Sequence, residues 1–311
     1  VSGNFSSFAG GIENASGATL SMTDCVVSGN RAQSAAGIMN HDRAFASLTD
    51  CEVSANDATT GVGGGLFNEG DLTVEGTLIS ENEAQTTGGG LQNGQVGVLT
   101  MTDCTSDQNT AGETGGGVEN TGVATLTFEG TTISGNRAGA DGGGIRSFSS
   151  VATLTFTNCT ISGNTAEQGN GGGLVHDGSV TLANSTVARN AAELGDGSAI
   201  YSEGSLWLRN TLIEGTCADT PHQTWAGVGN IESPGDTCEL YLNDDLFNVS
   251  AEDLKLGPLQ ENGGPTETHL PATGSVAIDA EIASCMEPKD QRGVDRPQGA
   301  RCDVGSVEAA P

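Results

Sequence analysis

Residues 136–164 read NRAGADGGGIRSFSSVATLTFTNCTISGN, and this stretch is one copy of a repeat. It runs from one Asn of a Ser-x-Asn motif to the next, through a Gly triplet with a following aliphatic residue and a stretch of alternating polarity. Copies recur every 26 to 28 residues, which indicates a solenoid. The repeated asparagines are Asn4, Asn30, Asn56, Asn82, Asn109, Asn136, Asn164 and Asn190.

Stacking the copies places apolar residues in columns with the period-two alternation of half-buried strands. One column contains Leu20, Ala46, Leu72, Leu99, Leu126, Leu154, Val180 and Leu206. A second contains Met22, Leu48, Val74, Met101, Phe128, Phe156, Leu182 and Leu208. A third contains Val27, Val53, Ile79, Ser106, Ile133, Ile161, Val187 and Ile213. Each copy therefore offers apolar side chains from three short strands to one interior.

These columns predict an all-β protein, a right-handed parallel β-helix of about eight turns, because one coil alone cannot bury its apolar face. Turns would stack ~4.8 Å apart. We place the repeats at residues 1–215. Residues 216–311 hold all eight prolines and lack the repeat, and we expect them to form an irregular cap over the open last turn.

The asparagine column is predicted to be structural. Asn amides can form ladders between stacked turns, and Asn tolerates the left-handed backbone conformation of tight turns. We therefore expect the eight asparagines to bond to the turns above and below them.

Charge excludes several classes of partner. The chain has 40 acidic and 11 basic residues, a net charge of −29, which repels nucleic acids and anionic membrane surfaces. No apolar run is long enough for a transmembrane helix. Val1 opens inside a repeat, so we expect either that the chain is a piece of a longer protein or that another copy docks head to tail on its first turn.

The eight cysteines fall into two sets. Cys25, Cys51, Cys104 and Cys159 share a repeat column and are expected to remain thiols. Outside the repeats, we predict disulfides between Cys217 and Cys238 and between Cys285 and Cys302, which would close loops of moderate length in an oxidising compartment.

No catalytic residues can be assigned from the sequence. His41, His176, His222 and His269 are scattered, and none stands in a nucleophile motif. Asp279, Asp290 and Asp303 recur near the second predicted disulfide and could bind calcium through carboxylate oxygens, although Asp also caps turns. No cofactor is required on this reading, and calcium is the one candidate.

The C-terminal part carries a motif string: Leu256-Gly257-Pro258-Leu259, Asn262-Gly263-Gly264-Pro265-Thr266, Thr268-His269, Gly274-Ser275, Ala277-Ile278-Asp279-Ala280, Asp290-Gln291-Arg292-Gly293, Arg296-Pro297 and Cys302-Asp303-Val304-Gly305. It resembles the C-terminal signature of bacterial choice-of-anchor Q domain proteins. The Gly-rich coils are also similar to the passengers of polymorphic outer-membrane proteins. The resemblance implies a secreted or surface-displayed right-handed β-helix, and it supplies no catalytic residues.

Together, these observations predict a non-enzymatic extracellular or cell-surface protein for structure or adhesion, such as a subunit of a surface appendage. Its partners would be a surface glycan, a protein ligand or further copies of itself. The alternative is a polysaccharide lyase or glycoside hydrolase that acts in a groove of the β-helix.

Overall fold

The computed structural model describes residues 1–123, 125–219, 224–240, 244–281 and 285–309. Within them, short strands wind into a parallel solenoid with three nine-stranded sheets. The first sheet contains Ile12–Asn14, Ile38–Asn40, Leu66–Asn68, Leu91–Asn93, Val118–Thr121, Ile145–Phe148, Leu174–His176, Ile200–Ser202 and Cys217–Asp219. Each of these strands begins a turn, so turn 1 begins at Ile12, turn 5 at Val118 and turn 9 at Cys217. The predicted parallel β-helix is confirmed.

Two further sheets complete the core of each turn. The second contains Thr19–Thr23, Phe45–Thr49, Asp71–Glu75, Val98–Thr102, Thr125–Glu129, Thr153–Thr157, Ser179–Ala183, Ser205–Arg209 and Thr224–Ala226. The third contains Val26–Ser28, Glu52–Ser54, Leu78–Ser80, Thr105–Asp107, Thr132–Ser134, Thr160–Ser162, Thr186–Ala188, Leu212–Glu214 and Ile231–Ser233.

A fourth ladder of two-residue strands, which the three-strand prediction does not include, links the third sheet to the first. Its strands are Arg31–Ala32, Asp57–Ala58, Glu83–Ala84, Thr110–Ala111, Arg137–Ala138, Thr165–Ala166 and Ala191–Ala192. The second residue of each strand is an alanine, which pairs with the alanine of the next turn.

The sheets are in register, so each residue lies beside its counterpart one turn away. Leu72, Leu99, Leu126 and Leu154 are direct neighbours in the second sheet, and all four are buried. Phe128 and Phe156 stack with their ring centroids 4.7 Å apart and their planes 2° apart. Each turn therefore buries its apolar residues against identical positions of the adjacent turns, which is the packing that the columns predict.

The solenoid continues past residue 215, where the repeat pattern ends. Turn 9 pairs Ile231 with Leu212 and Glu232 with Ile213. Glu232 occupies a core column, and its carboxylate accepts hydrogen bonds from Thr237 and from the Cys238 backbone N–H. Because an acidic residue replaces the aliphatic one, the ninth turn does not show the apolar pattern. The boundary of the solenoid lies near residue 233.

The chain after turn 9 has two parts. Cys238 and Leu240 join the apolar core at the open end, and Asn230 donates to Asp245 Oδ1. Residues 250–281 and 285–309, here called the C-terminal segment, instead lie along the outer face of the third sheet. The segment contains the helix Ala251–Leu254 and the antiparallel strands Leu256–Gln260 and Thr268–Pro271. Most of the described residues after 215 therefore cover the side of the rod rather than its end, which corrects the expected cap over residues 216–311.

Hydroxyl groups on the third sheet hold the C-terminal segment. Gln291 donates to Thr132 Oγ1 over 2.9 Å and accepts from Thr160 Oγ1 over 2.7 Å. The Ser306 backbone N–H donates to Thr186 Oγ1 over 3.0 Å. The outer positions of turns 5 to 7 and Leu212 in turn 8 are consequently buried, whereas Val26 and Leu78 in turns 1 and 3 are 49% and 38% exposed.

Helices contribute little to the part of the chain that the structure describes. The four residues Ala251–Leu254 form its one α-helix, and no helix there is long and apolar enough to cross a membrane.

Candidate functional site

The repeated asparagines form a continuous hydrogen-bonded ladder. Each Nδ2 from Asn4 to Asn164 donates to the Oδ1 of the next asparagine over 2.8 to 3.0 Å, which links all eight side chains. Each Oδ1 also accepts the backbone N–H of the preceding asparagine in the ladder, as Asn109 Oδ1 does from Asn82. The left-handed conformation belongs to the residue before each asparagine, such as Ala55 and Glu81, and not to the asparagine itself.

A second polar ladder lies in the first sheet, and the sequence analysis missed it. Its members are Asn14, Asn40, Asn68, Asn93, Asn120 and Ser147, joined side chain to side chain over 2.7 to 3.1 Å. In turn 7 the column holds His176, whose pKa burial lowers to about 4. The signal was present as aliphatic-x-Asn after the glycines in five turns. Apart from Asn4 at the exposed end, the side chains of both ladders are buried, so the ladders stabilise the fold.

The three candidate calcium ligands bind N–H groups instead. Asp303 accepts the backbone N–H groups of Asp279 and Ala309, and Asp279 accepts that of Arg301. Asp290 accepts the backbone N–H groups of Arg292, Val294 and Glu308 and the guanidinium of Arg292.

These contacts favour turn capping over cation binding. Among the described residues, no group of three or more His, Cys, Asp or Glu side chains is arranged to hold a metal ion. Calcium at Asp279, Asp290 and Asp303 stays a prediction, which melting with calcium and with a chelator tests.

The cysteines divide as the sequence predicts. Disulfides join Cys217 to Cys238 and Cys285 to Cys302. Cys25, Cys51, Cys104 and Cys159 are free. Burial raises the pKa values of the Cys104 and Cys159 thiols to about 12, so both are neutral and unreactive at ordinary pH.

The histidines form no common site in the described chain. His41 lies 2.8 Å from Glu13 Oε1, at the first corner of turn 2. His269 Nε2 lies 2.7 Å from Ser162 Oγ, between the C-terminal segment and turn 6. His222 lies outside the described residues.

An acid and an arginine meet on the outer face of the first sheet. Glu119 in turn 5 pairs in register with Arg146 in turn 6, and Arg146 Nη1 lies 3.7 Å from Glu119 Oε1. A Cβ atom at Gly115, whose φ is +65°, would lie 2.6 Å from Glu119 Oε2. Glycine at this position therefore lets the loop close over the carboxyl group, which is only 2% exposed.

This environment favours the protonated form of Glu119. Burial raises its pKa to about 8, although Arg146 and a hydrogen bond with Thr114 act in the opposite direction. Burial and Glu203 also raise the pKa of Asp177. Arg146 in turn lies over the ring of Phe148, 4.4 Å from its centroid. A carboxyl group that keeps its proton near neutral pH, beside a guanidinium, is an arrangement suited to acid–base chemistry.

Ion pairs between residues of the C-terminal segment also stabilise it. Arg296 Nη1 lies 3.0 Å from Glu308 Oε2, and both side chains are fully buried. Arg292 Nη2 lies 2.7 Å from Asp290 Oδ2. Arg296 also donates to the carbonyls of Asp303 and Gly305. All of these residues except Glu308 belong to the C-terminal motif string, so the motif residues help to hold the segment in shape.

Comparison with known proteins gives one match. The model of the family described as right handed beta helix region matches residues 3–160, just over half of the chain. None of the curated proteins and none of the solved structures matches the chain. The matched residues include turns 1 to 5, the first two strands of turn 6 and the asparagine ladder as far as Asn136. The chain therefore belongs to the right-handed β-helix family.

Proposed function

We propose that this chain is a non-enzymatic extracellular or cell-surface protein, a stiff rod that serves a structural or adhesive role. The observation that carries the proposal is the unbroken ladder of eight asparagines, because it ties every turn from the first to the seventh to its neighbours. The polar side chains of this ladder bond to one another and hold adjacent turns together. A rod of this kind resists bending and presents its outer faces at fixed spacing.

Two further features support a place outside the cytoplasm. The two disulfides suit an oxidising compartment. The net charge of −29 keeps such rods soluble and apart from one another. Fold and charge together favour a surface or secreted protein over a nucleic-acid or membrane-spanning one.

The enzyme alternative is a polysaccharide lyase or glycoside hydrolase, and Glu119 with Arg146 is the observation that favours it. Glu119 would hold a proton at neutral pH, and Asp177 lies in the next turn after Arg146. Against this role, the Glu119 side chain is buried beneath the loop at Gly115, so a polymer would reach it only after that loop moved.

A screen of acidic and neutral polysaccharides separates the two functions. We expect the purified chain to produce no shorter chains and no unsaturated ends from any of the polymers, whether or not it binds one of them. Cleavage that Glu119→Gln or Asp177→Asn abolishes, and that the exposed control Glu193→Gln preserves, would establish the enzyme instead.

Head-to-tail association is a separate proposal. In the described chain, Ile12–Asn14 and Thr19–Thr23 pair with a strand on one side only, which leaves backbone groups for another chain. Such a contact would be heterologous and would propagate into a filament. Light scattering and electron microscopy test it, since monodisperse monomers at high concentration would exclude the filament.

A further inference from the structure

Exposed apolar side chains are concentrated at one corner of the rod, where the first sheet passes into the second. We call them the corner surface. Their exposed fractions range from 43% to 65%. The members are Phe45 in turn 2, Val96 and Val98 in turn 4, Val123 in turn 5, and Phe148 and Val151 in turn 6. Six of the fifteen large apolar side chains that are exposed among the described residues lie here, and such a patch indicates an interaction site.

The corner surface is regular along the rod axis. Val96, Val123 and Val151 each stand two residues before a strand of the second sheet, and these strands pair in register. Val123 donates its backbone N–H to Gln95, so the corner loops of turns 4 and 5 are stacked. The three valines therefore repeat at the spacing of the turns, ~4.8 Å.

A notch lies at the N-terminal end of this surface. The corner of turn 3 has two residues, 69–70, whereas the corners of turns 2 and 4 have four, 41–44 and 94–97. The difference leaves a depression of about 340 Å³ with Phe45 and Val96 among its lining residues. Its charged residues are Asp42, Arg43, Glu69 and Asp71. Three carboxylates against one guanidinium make the notch acidic, and Arg43 is itself paired with Asp42.

We propose that the corner surface and its notch bind a basic amphipathic helix of another protein. A helix laid along the rod presents apolar side chains about every 5.4 Å, close to the ~4.8 Å spacing of the valines. Side chains on one face of an extended strand would repeat at ~6.7 Å and would miss successive turns. Turns 2 to 6 span ~19 Å, which is about 13 helical residues.

Charge defines the partner further. The acidic notch and the net charge of −29 favour Lys and Arg beside the apolar stripe of the helix. A second copy of this chain does not fit, because the residues that the structure describes contain one helix, of only four residues. The inference goes beyond the proposed function and does not depend on it, since an enzyme on this scaffold would present the same surface.

Binding of three synthetic peptides tests the proposal. The probe is a 14-residue helix with Leu at positions i, i+3, i+7 and i+10 and Lys beside this stripe. One comparison peptide has the same composition in scrambled order, and the other has Glu in place of Lys. We expect fluorescence anisotropy to show the Lys helix binding at least about tenfold more tightly than either comparison, with affinity falling as salt rises.

Variants locate the binding site. The double change Val123→Ser with Val151→Ser should weaken the Lys helix about tenfold or more, and Glu69→Gln with Asp71→Asn should flatten the salt dependence. Leu194→Ser, at a 79% exposed leucine on another corner, should change affinity less than twofold. Glu69 is half-buried and accepts a hydrogen bond from Gln95, and the other four side chains are exposed, so the variants should keep a melting temperature close to that of the parent.

Three results would overturn the proposal. Equal binding of the scrambled peptide would show general charge attraction to the acidic rod. Equal losses in the valine variant and in Leu194→Ser would place the site elsewhere. Absence of binding by the Lys helix at low salt would exclude a basic helix as the occupant.

Discussion

The solenoid and the C-terminal segment are held by contacts of opposite kinds. In the solenoid, a residue bonds to its own counterpart one turn away, as Asn82 does to Asn109. In the segment, each bond joins a pair that occurs once, such as Gln291 and Thr132, which are 159 residues apart. When one repeated contact is lost, equivalent contacts remain in the other turns, whereas a contact that occurs once has no equivalent elsewhere. The two regions should therefore respond differently to substitution.

The third sheet belongs to both regions, because only part of its outer face is covered by the C-terminal segment. Its first four turns present a partly open outer face, and its later turns carry the segment on theirs. The strands themselves are alike, and most of the side chains at one outer position differ, with Thr105 in turn 4 and Leu212 in turn 8 as the exceptions. Thr132, Thr160 and Thr186 offer hydroxyl groups in consecutive turns, whereas turns 1 to 3 offer Val26, Glu52 and Leu78 at the same positions.

The largest effect is expected in the core of the solenoid. Phe128→Ala removes one ring of the Phe128–Phe156 stack and leaves a cavity, so it should lower the free energy of unfolding by about 3–5 kcal/mol. Thr127→Ala, on the outer face of the same strand, should cost far less. Urea unfolding measures both, and similar losses would contradict the assigned interior.

The next effect separates the C-terminal segment from the rod. Glu308→Gln leaves the buried Arg296 guanidinium without its counter-charge, which should cost about 3 kcal/mol. We expect limited proteolysis to cut residues 250–309 first while the solenoid stays intact. Asp295→Asn is the control, because the Lys289–Asp295 pair is exposed and should contribute less than about 0.5 kcal/mol. Simultaneous digestion of both regions would contradict independent attachment.

A smaller effect is expected in the asparagine ladder. Asn82→Ala leaves the Asn56 amide and the carbonyl of Val53 without their buried partner, at a cost of about 2 kcal/mol. Asn4→Ala, at the exposed end, removes bonds to Asn30 alone and should cost a few tenths of that. Thermal melts of the two variants make the comparison. Equal shifts in melting temperature would contradict the expected difference between the buried middle of the ladder and its exposed end.

The smallest effect depends on pH. Burial lowers the pKa of His269 to about 4 from 6.5, so the folded chain keeps this imidazole neutral while the unfolded chain takes up a proton. Its stabilising contribution is present above pH 6.5 and is lost as pH falls toward 4. Between pH 7 and 5.5 the loss should be about 1 kcal/mol. His269→Gln should lose less stability than the parent over this interval, and parallel curves would contradict the assignment.

The sequence predicts the repeated part of the molecule better than the rest, for a physical reason. A column of Leu or Asn is visible because the same requirement acts in every turn. Glu232 hides the ninth turn because one acidic residue stands in a core column, supported by local donors. The Asn14 ladder is less visible because Ser147, His176 and Ser202 replace asparagine in turns 6 to 8.

Placement of the C-terminal segment could not be predicted in the same way. Its contacts join Gln291, His269 and Ser306 to residues more than 100 positions earlier, and nothing periodic connects them. From the sequence alone, Thr160 and Thr186 cannot be distinguished from threonines whose hydroxyl groups face solvent. The burial of Glu119 also depends on a loop closing over it, which the sequence records only as another glycine.

In-register asparagines also constrain how such a rod can change in length. A complete turn inserted or deleted within turns 1 to 4 would leave each remaining asparagine facing another asparagine, so the ladder would close again. The same change between Thr132 and Thr160 would move the sites beneath the C-terminal segment by ~4.8 Å and separate Gln291 from one of its two threonines. Length variation among descendants of this chain should therefore accumulate toward the N-terminal turns, in whole multiples of the repeat.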